Sequence, residues 1–256
     1  GSFIANRTQG KTEITVENAT VGQDVIVKVT VPEDATGNVT IKVDNTTKVV
    51  NVTGGENIIP IPGLAEGEHD INVTYSGDDK YDSKTLIDTV VVRPSIIAQD
   101  KMTRGWNSEY DYEAEFLDND GYVLVDTDVT FTVNGKTYTV RTDDKGMAKL
   151  TTSHLPVGTY TVTVKNPVTG QEVNRTVTIV SRIIENKDIT LEFNDGTKYV
   201  VRAIGDDGKP VGAGEVVKVR ANGVNYAVVT DSNGRLRLLD KKDLSVISNN
   251  NTADAK

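Results

Sequence analysis

The sequence predicts an all-β protein of tandem β-sandwich domains arranged as an extended rod. Three observations predict this fold class. Apolar and polar residues alternate over runs of five to eight, which is typical of half-buried strands. Clusters of Asp, Asn and Gly interrupt these runs at short intervals, as turns between strands do. The sequence also repeats itself once, which indicates two copies of one unit in tandem.

The alternation is clearest in the run 25–31, where Val25, Val27, Val29 and Val31 fall on one face. The same pattern predicts strands at residues 39–43, 71–75, 110–116 and 129–133. In the run 110–116 it places Tyr110 on the buried face together with Tyr112. Val and Thr dominate these runs, which suits a pleated, half-buried surface. Turns are predicted between them at 44–45, 76–79, 118–121 and 134–135.

The internal repeat fixes the number of domains. Residues 116–121 align with 203–208 at an offset of 87, and one inserted residue later the offset is 88. At that offset Asn134-Gly135 aligns with Asn222-Gly223, and both pairs are predicted to form two-residue type I′ hairpin turns. The predicted domains are 1–95, 96–181 and 182–256. Their junctions have no Gly/Ser-rich linker, so the domains are expected to sit end to end.

A short motif links the first domain to the second. Residues 64–69 read LAEGEH and residues 155–160 read LPVGTY, each followed by an alternating run. This pattern resembles the tyrosine corner of immunoglobulin-like (Ig-like) sandwiches, in which a ring at the start of a late strand hydrogen-bonds to upstream backbone. Tyr160 and His69 are therefore predicted to be structural corner residues.

Longer motifs carry a family resemblance. The second domain contains DNDG at 118–121, VTFTVNGKTY at 129–138 and TDDKG at 142–146, and the first contains YSGDDKY at 75–81. Together they resemble the bacterial and archaeal Ig-like repeats of adhesin-like surface proteins, of the type found in methanogenic archaea. The resemblance implies a non-enzymatic fragment of a larger secreted or anchored protein at the cell surface. It also implies a role as a stalk or adhesive rod whose partner is a surface protein or glycan of another cell.

Composition excludes several classes of function. Of the 256 residues, 37% are hydrophobic and 5% aromatic, the net charge is −9, and there is no cysteine. Disulfides and cysteine-based metal sites are therefore excluded, and the acidic charge argues against nucleic acid. No apolar run is long enough to span a membrane. His69 and His154 lie in different domains and no catalytic motif is present, so we expect no enzyme, no catalytic residue and no cofactor site.

Two interpretations of the acidic turns remain open. Carboxylates in aligned loops are suitable calcium ligands, and the candidates are Asp118, Asp120, Asp143, Asp206 and Asp207. The same residues are also ordinary turn formers, and no bidentate Glu stands at EF-hand spacing. A calcium-assisted, carbohydrate-binding module is accordingly the alternative function. Trp106, the only tryptophan, would then contact the ligand; otherwise it covers the seam to domain one.

Two covalent modifications are also open. N-glycosylation sequons occur at Asn6, Asn18, Asn38, Asn45, Asn51, Asn72, Asn174 and Asn250. They fit a sugar-coated surface protein, although Thr-rich strands and Asn-rich turns generate sequons by accident. An isopeptide bond would join Lys101 to Asn166 or Asn174 beside an acid, Glu113 or Glu115. The alternative is an exposed lysine and a turn asparagine.

The third domain is expected to be incomplete at its C-terminal strands. Domain two continues after Leu150 through the corner motif and two further strands before it ends at Ser181. After the matching Leu238 the sequence shows no corner motif, and one short strand is predicted at 244–247. Such a domain would expose core positions such as Tyr199, Val201 and Val219. Three outcomes are open: a domain cut short, a tail that folds back as a substitute strand, or strand exchange with a partner.

Overall fold

The computed structural model describes residues 7–187, 198–221, 224–238 and 245–246. Every regular element in these residues is a β-strand, and the strands form six sheets. The prediction of an all-β protein is confirmed. Within the described ranges no helix has the length and apolar character needed to cross a bilayer. Each sheet takes its strands from one predicted domain only, while the domain boundaries stay a prediction.

Domain one is a sandwich of a three-stranded and a five-stranded sheet. Its strands are β1 (Glu13–Val16), β2 (Ala19–Thr20), β3 (Val25–Val31), β4 (Asn38–Val43), β5 (Thr46–Asn51), β6 (Gly55–Ile61), β7 (Gly67–Tyr75) and β8 (Lys84–Arg93). The orders are β1-β3-β6 and β2-β8-β7-β4-β5. The predicted alternation in β3 is confirmed, because Val25, Val27 and Val29 are buried between the sheets.

Domain two repeats this architecture. Its strands are β9 (Ile96–Ala98), β10 (Lys101–Gly105), β11 (Tyr112–Phe116), β12 (Asp128–Val133), β13 (Lys136–Arg141), β14 (Met147–Leu150), β15 (Gly158–Lys165) and β16 (Glu172–Val180). The sheets have the orders β14-β11-β9 and β10-β16-β15-β12-β13. Phe131 lies at the centre of the core, edge-to-face with Tyr112 at 6.3 Å and with Phe116 at 6.0 Å between ring centres. Aromatic pairs in this orientation add to the stabilisation from burial of apolar area.

The expectation that Tyr110 shares the buried face of Tyr112 is wrong. Strand β11 begins only at Tyr112, and the side chain of Tyr110 is 57% exposed. The chain before β11 is held in a turn, since the backbone N–H of Tyr110 donates to the Ser108 hydroxyl at 3.2 Å. The alternating pattern in the sequence therefore began earlier than the strand itself.

The first strand of each complete sandwich is split between the two sheets. In domain one β1 pairs antiparallel with β3, and β2 then pairs parallel with β8. In domain two β9 pairs antiparallel with β11, and β10 pairs parallel with β16. The split carries the ends of β2 and β10, Thr20 and Gly105, to the edge of the five-stranded sheet beside the next domain.

Domain three has a smaller described core. Its strands are β17 (Ile183–Ile184), β18 (Tyr199–Ala203), β19 (Val216–Ala221), β20 (Val224–Val229), β21 (Arg235–Leu238) and β22 (Ser245–Val246). The sheets are β17-β18-β21 and β19-β20-β22. Among the described residues the buried apolar cluster consists of Val201, Ala203, Val228 and Leu236, with Tyr199 and Val219 packed half-buried against it.

The short strand predicted in the tail lies on an unexpected edge. Strand β22 pairs antiparallel with β20, the counterpart of β13 in domain two. There β13 is the outermost strand, and the next strand but one, β15, pairs with β12 on the other side. The tail strand therefore does not take the place of β15 and adds to the opposite edge.

The Asn134-Gly135 hairpin is confirmed. Val133 pairs with Lys136, which leaves a two-residue loop, and φ is +50° at Asn134 and +72° at Gly135. Positive φ at both central residues defines the type I′ turn, whose twist matches that of the strands. The corresponding prediction for Asn222-Gly223 lies outside the described residues.

Candidate functional site

The turn at residues 118–121 presents a backbone carbonyl toward domain one. The carboxylate of Asp118 accepts hydrogen bonds from the backbone N–H groups of Asp120 and Tyr122 at 3.0 and 2.9 Å. Gly121 closes the turn with φ of +83°. An Asp at the first position of a turn is favoured for this reason, because its side chain bonds to the backbone that follows it. The carbonyl of Asn119 is left to bond outside the turn.

That carbonyl forms the joint between domains one and two. The backbone N–H of Thr20, at the end of β2, donates to the Asn119 carbonyl oxygen at 3.0 Å. The Thr20 hydroxyl lies 3.4 Å from the same oxygen. Thr20 is fully buried, so this bond is shielded from water. A backbone bond with one buried partner fixes the approach of the two domains more firmly than an exposed contact.

The joint between domains two and three repeats this bond. The backbone N–H of Gly105, at the end of β10, donates to the carbonyl oxygen of Asp206 at 3.1 Å. Asp206 is the residue that aligns with Asn119 in the internal repeat. The two backbones approach closely here, because a Cβ at Gly105 would overlap the carbonyl oxygen of Gly205. A Cβ at Gly208 would lie 2.7 Å from the methyl group of Thr103.

Backbone hydrogen bonds also hold the segments that connect the domains. The carbonyl of Ser95 accepts the backbone N–H of Leu117 at 2.9 Å, and the carbonyl of Arg182 accepts that of Ile204 at 2.8 Å. Both pairs are related by the repeat offset of 87. Each connection is thus a short segment bonded to the domain that follows, and the same two bonds recur at both joints.

Arg182 adds contacts that are specific to the second joint. Its Nε donates to the backbone carbonyl of Trp106 at 2.6 Å, and its Nη2 contacts the carboxylate of Asp206. Trp106 therefore lies at the seam with domain three through its main chain, while its side chain is 50% exposed. The sequence offered the seam as one interpretation of Trp106, but placed it against domain one.

The corner residues make matching bonds. The hydroxyl of Tyr160 donates to the carbonyl of Pro156, four residues upstream, at 2.9 Å. Nε2 of His69 donates to the carbonyl of Ala65, also four residues upstream, at 2.9 Å. Nδ1 of His69 lies 2.8 Å from the carboxylate of Asp44. The ring of Tyr160 is half-buried and packs against the core of domain two.

His154 and the two candidate isopeptide asparagines make structural contacts. Nε2 of His154 lies 2.8 Å from the Tyr138 hydroxyl. Asn166 is fully buried, and its amide donates to the carbonyls of Ser95 and Leu117 at 3.0 and 2.8 Å. This amide ties the start of domain two to a late loop. Lys101 is exposed, and Asn174 instead accepts a hydrogen bond from Thr163 at 2.7 Å.

Most of the candidate calcium ligands are engaged in turns. Asp143 accepts the backbone N–H groups of Met147 and Lys145, both at 2.9 Å, and these bonds lower the pKa of its carboxyl. Asp207 accepts the N–H of Lys209 at 2.9 Å, and Asp206 contacts Arg182. In the part of the chain that the structure describes, no three His, Asp or Glu side chains gather as a metal site would require.

The sequons of domain one that the structure describes lie mainly on its five-stranded sheet. Asn38 and Asn51 are paired across β4 and β5, Asn45 is in the turn between them, and Asn72 lies on β7. Asn18 precedes β2, and its side chain accepts the backbone N–H of Val91 at 2.9 Å. Asn6 and Asn250 lie outside the described residues.

One polar cluster in domain one was missed by reasoning from the sequence. The hydroxyl of the buried Tyr75 lies 2.7 Å from the Thr36 carbonyl and 3.0 Å from the Asp78 carboxylate. Asp78 also accepts the backbone N–H of Thr36 at 2.7 Å, which with two further backbone bonds lowers its pKa well below the usual range. Burial, followed by the bond to Asp78, raises the pKa of Tyr75 to about 12. The YSGD motif contained the signal, but its partner Thr36 is distant in sequence.

The family comparison bears on domain one. Residues 12–93 match the family of bacterial Ig-like domains, group 3. No curated protein matches the chain.

Several solved structures are similar to the chain. Part of a 1.5-MDa bacterial ice-binding adhesin has 18% identity and a TM-score of 0.32, over 92% of this chain and 88% of that one. A Ca²⁺-stabilised ice-binding adhesin of an Antarctic bacterium has 18% identity and a TM-score of 0.30, over 91% of this chain and 66% of that one. Invasin, a bacterial integrin-binding protein, has 14% identity and a TM-score of 0.27, over 94% of this chain and 60% of that one. The family match identifies residues 12–93 as a bacterial Ig-like domain.

Proposed function

We propose that the chain is a stalk segment of an adhesin-like protein at the cell surface, of the type found in methanogenic archaea. The observation that carries the proposal is the repeated joint: Thr20 bonds to Asn119 as Gly105 bonds to Asp206. A stalk must hold successive domains in a fixed direction, and a bond that recurs at the same position of each repeat does so. The Ig-like family of domain one supports the proposal.

The energetics of the joints suit this role. Each connection is too short to let the domains tumble independently, and its bonds lie between backbone groups that most substitutions retain. The net charge of −9 keeps an extended surface soluble and disfavours self-association. We propose that the protein is extracellular and non-enzymatic, that its partner is a surface protein or glycan of another cell, and that exposed sequons such as Asn51 carry sugar in the native cell.

Small-angle X-ray scattering of the whole chain tests the stalk. A compact chain of 256 residues has a radius of gyration of about 18 Å. An end-to-end arrangement gives a clearly larger value, together with a distance distribution that has one short peak and a long tail. A radius of gyration at the compact value, with a symmetrical distribution, would overturn the proposal.

A further inference from the structure

Domain two carries a groove on its smaller sheet. A cavity of about 560 Å³ lies on the outer face of the sheet β14-β11-β9, beside the segment that leads from β10 to β11. Its lining includes Ile97 and Met147 from that sheet, Arg104 from β10 and Tyr110 from the segment before β11. The volume is in the range of sites that hold small ligands.

The equivalent positions of domain one hold small apolar residues. Ala19 is the counterpart of Arg104. In the equivalent parallel pairings of the two domains, Ala19 pairs with Val92 and Arg104 pairs with Ile179. Val25 follows the joint residue Thr20 at the same sequence separation as Tyr110 follows Gly105. Ala19 and Val25 are both buried, at 2% and 0% exposure. The arginine and the tyrosine that wall the groove are thus a property of domain two rather than of the fold.

Arg104 is left short of hydrogen-bond partners. Its guanidinium lies over the ring of Tyr110, with Cζ 5.3 Å from the ring centre. The single hydrogen bond it makes within the described residues runs from Nη1 to the carbonyl of Thr103, at 3.2 Å. Its Nε is buried without a partner. Arg175 and Arg202 also have a buried Nε without a partner, but their guanidinium groups are paired with Asp100 and Glu185. Of these three arginines in the described part of the chain, Arg104 alone has no carboxylate partner. Unpaired buried donors are rare and costly, so its state points to an acceptor that arrives with a ligand.

Carboxylates line the same groove. Asp111, Glu113 and Glu115 contribute to its walls, and Glu113 is already paired with Lys149 at 2.8 Å. A carboxylate accepts hydrogen bonds but donates none, whereas a guanidinium donates and accepts none. An anionic ligand would satisfy Arg104 and be repelled by Asp111 and Glu115. A cationic ligand would satisfy the carboxylates and be repelled by Arg104.

A hydroxyl group satisfies both kinds of partner, because it accepts from one side and donates to the other. A sugar also needs an apolar surface for its C–H face, and the ring of Tyr110 supplies that surface. Arg104 covers one face of its ring, while more than half of the side chain is exposed and able to pack against the apolar C–H face of a sugar.

We propose that this groove binds a short neutral oligosaccharide, with Tyr110 as the stacking platform and Arg104 and Glu115 as hydrogen-bonding partners. The site goes beyond the stalk function, and it deepens the proposed glycan partner by naming where a glycan binds and of which class. It also differs from a calcium-assisted site at the acidic turns, because no turn aspartate of the repeat lies in the groove.

An array of neutral and sulfated oligosaccharides, with oligolysine beside them, is probed with the whole chain to test the proposal. Calorimetry with the best-bound member follows. The test variant is R104A/Y110V, which installs the side chains of domain one. Trp106→Ala is the matched control, since it removes an exposed aromatic ring that does not line the groove. We expect binding that the double variant weakens at least tenfold, and that the control and a chelator leave within twofold. Unchanged thermal unfolding of both variants excludes misfolding as the cause.

Absence of binding on the array, or equal binding by the double variant, would overturn the proposal. Loss of binding with the chelator or in the Trp106→Ala control would overturn it too. So would preference for oligolysine or a sulfated glycan over every neutral sugar. Scattering by the same samples reports the stalk separately, so the two proposals fail independently.

Discussion

The backbone N–H of Thr20 donates a hydrogen bond to the carbonyl of Asn119, a residue in the following domain. The bond matters because its counterpart, from Gly105 to Asp206, links the next pair of domains at the equivalent position. The acceptors align in the sequence repeat, whereas the donors, a threonine and a glycine, share no side chain. The joint is therefore encoded by backbone geometry: a split first strand on one side and an Asp-containing turn on the other.

Close packing at the second joint predicts that Gly105→Ala loosens domains two and three. The new Cβ would overlap the carbonyl oxygen of Gly205, so the domains must separate slightly and the bond to Asp206 weakens. Small-angle scattering should show a broader distribution of shapes. Gly212→Ala is the control, because its Cβ would meet nothing within 4 Å. Identical scattering from both variants would contradict the prediction.

Tyr160→Phe should lower the free energy of unfolding of domain two by about 1 kcal/mol, the net value of one hydrogen bond. The change removes only the hydroxyl that donates to Pro156 and keeps the ring that packs on the core. Denaturant unfolding measures the effect. Tyr122→Phe serves as the comparison, since that side chain is 72% exposed and its hydroxyl makes no bond among the described residues. Equal midpoints for the two variants would refute the corner role.

Gly135→Val should destabilise domain two by at least about 1–2 kcal/mol, the cost of a left-handed conformation for an ordinary residue, with more for a β-branched one. Gly135 has φ of +72° and nothing within 4 Å of its would-be Cβ, so the cost is conformational and not steric. Gly135→Asn is the matched variant, because Asn tolerates this region, and it should cost much less. Similar unfolding midpoints for Val and Asn would show that the turn has another form in solution.

The lowered pKa of the Asp78 carboxyl predicts that domain one loses stability in acid. Backbone hydrogen bonds, first that from Thr36, lower its pKa below the ordinary value of 3.8 in the folded state. A carboxyl with a lowered pKa contributes stability above its unfolded pKa and loses that contribution as the pH falls through the folded value. Asp78→Asn should therefore destabilise domain one at pH 7 more than at pH 2. Denaturant unfolding at both pH values measures the effect, and a constant effect of Asp78→Asn would contradict the assignment.

The parts of the fold that depend on local pattern could be predicted from the sequence. Alternation placed the buried valines of β3, and Asn-Gly marked the turn after β12, because strand faces and tight turns depend on neighbouring residues. Prediction failed where a distant partner decides. Tyr110 continues the alternating pattern, yet it is exposed beside Arg104. Thr36, which contacts both Tyr75 and Asp78, carries no local sign of that role. The groove of domain two was missed for the same reason.

The third domain should exchange its amide hydrogens faster than domain two. Its described core is limited to a few side chains such as Val201 and Leu236, and its tail strand adds beside β20 rather than in the position of β15. Fewer buried contacts lower the free energy of local opening, which is what hydrogen exchange measures. We expect lower protection across 198–238 than across 112–164 in dilute monomer.

Variants of the tail strand β22 provide a further test and its control. Val246→Pro should weaken the pairing of β22 with β20 and lower protection in β20 further, because proline has no N–H, while Val246→Ala keeps the backbone N–H and should not. Protection in domain three equal to that of domain two would show a self-sufficient fold. In domain two β12 pairs with β15, and β19 is the counterpart of β12 in domain three. Protection in β19 that rises with protein concentration would therefore indicate that a second chain donates the strand that β15 supplies in domain two.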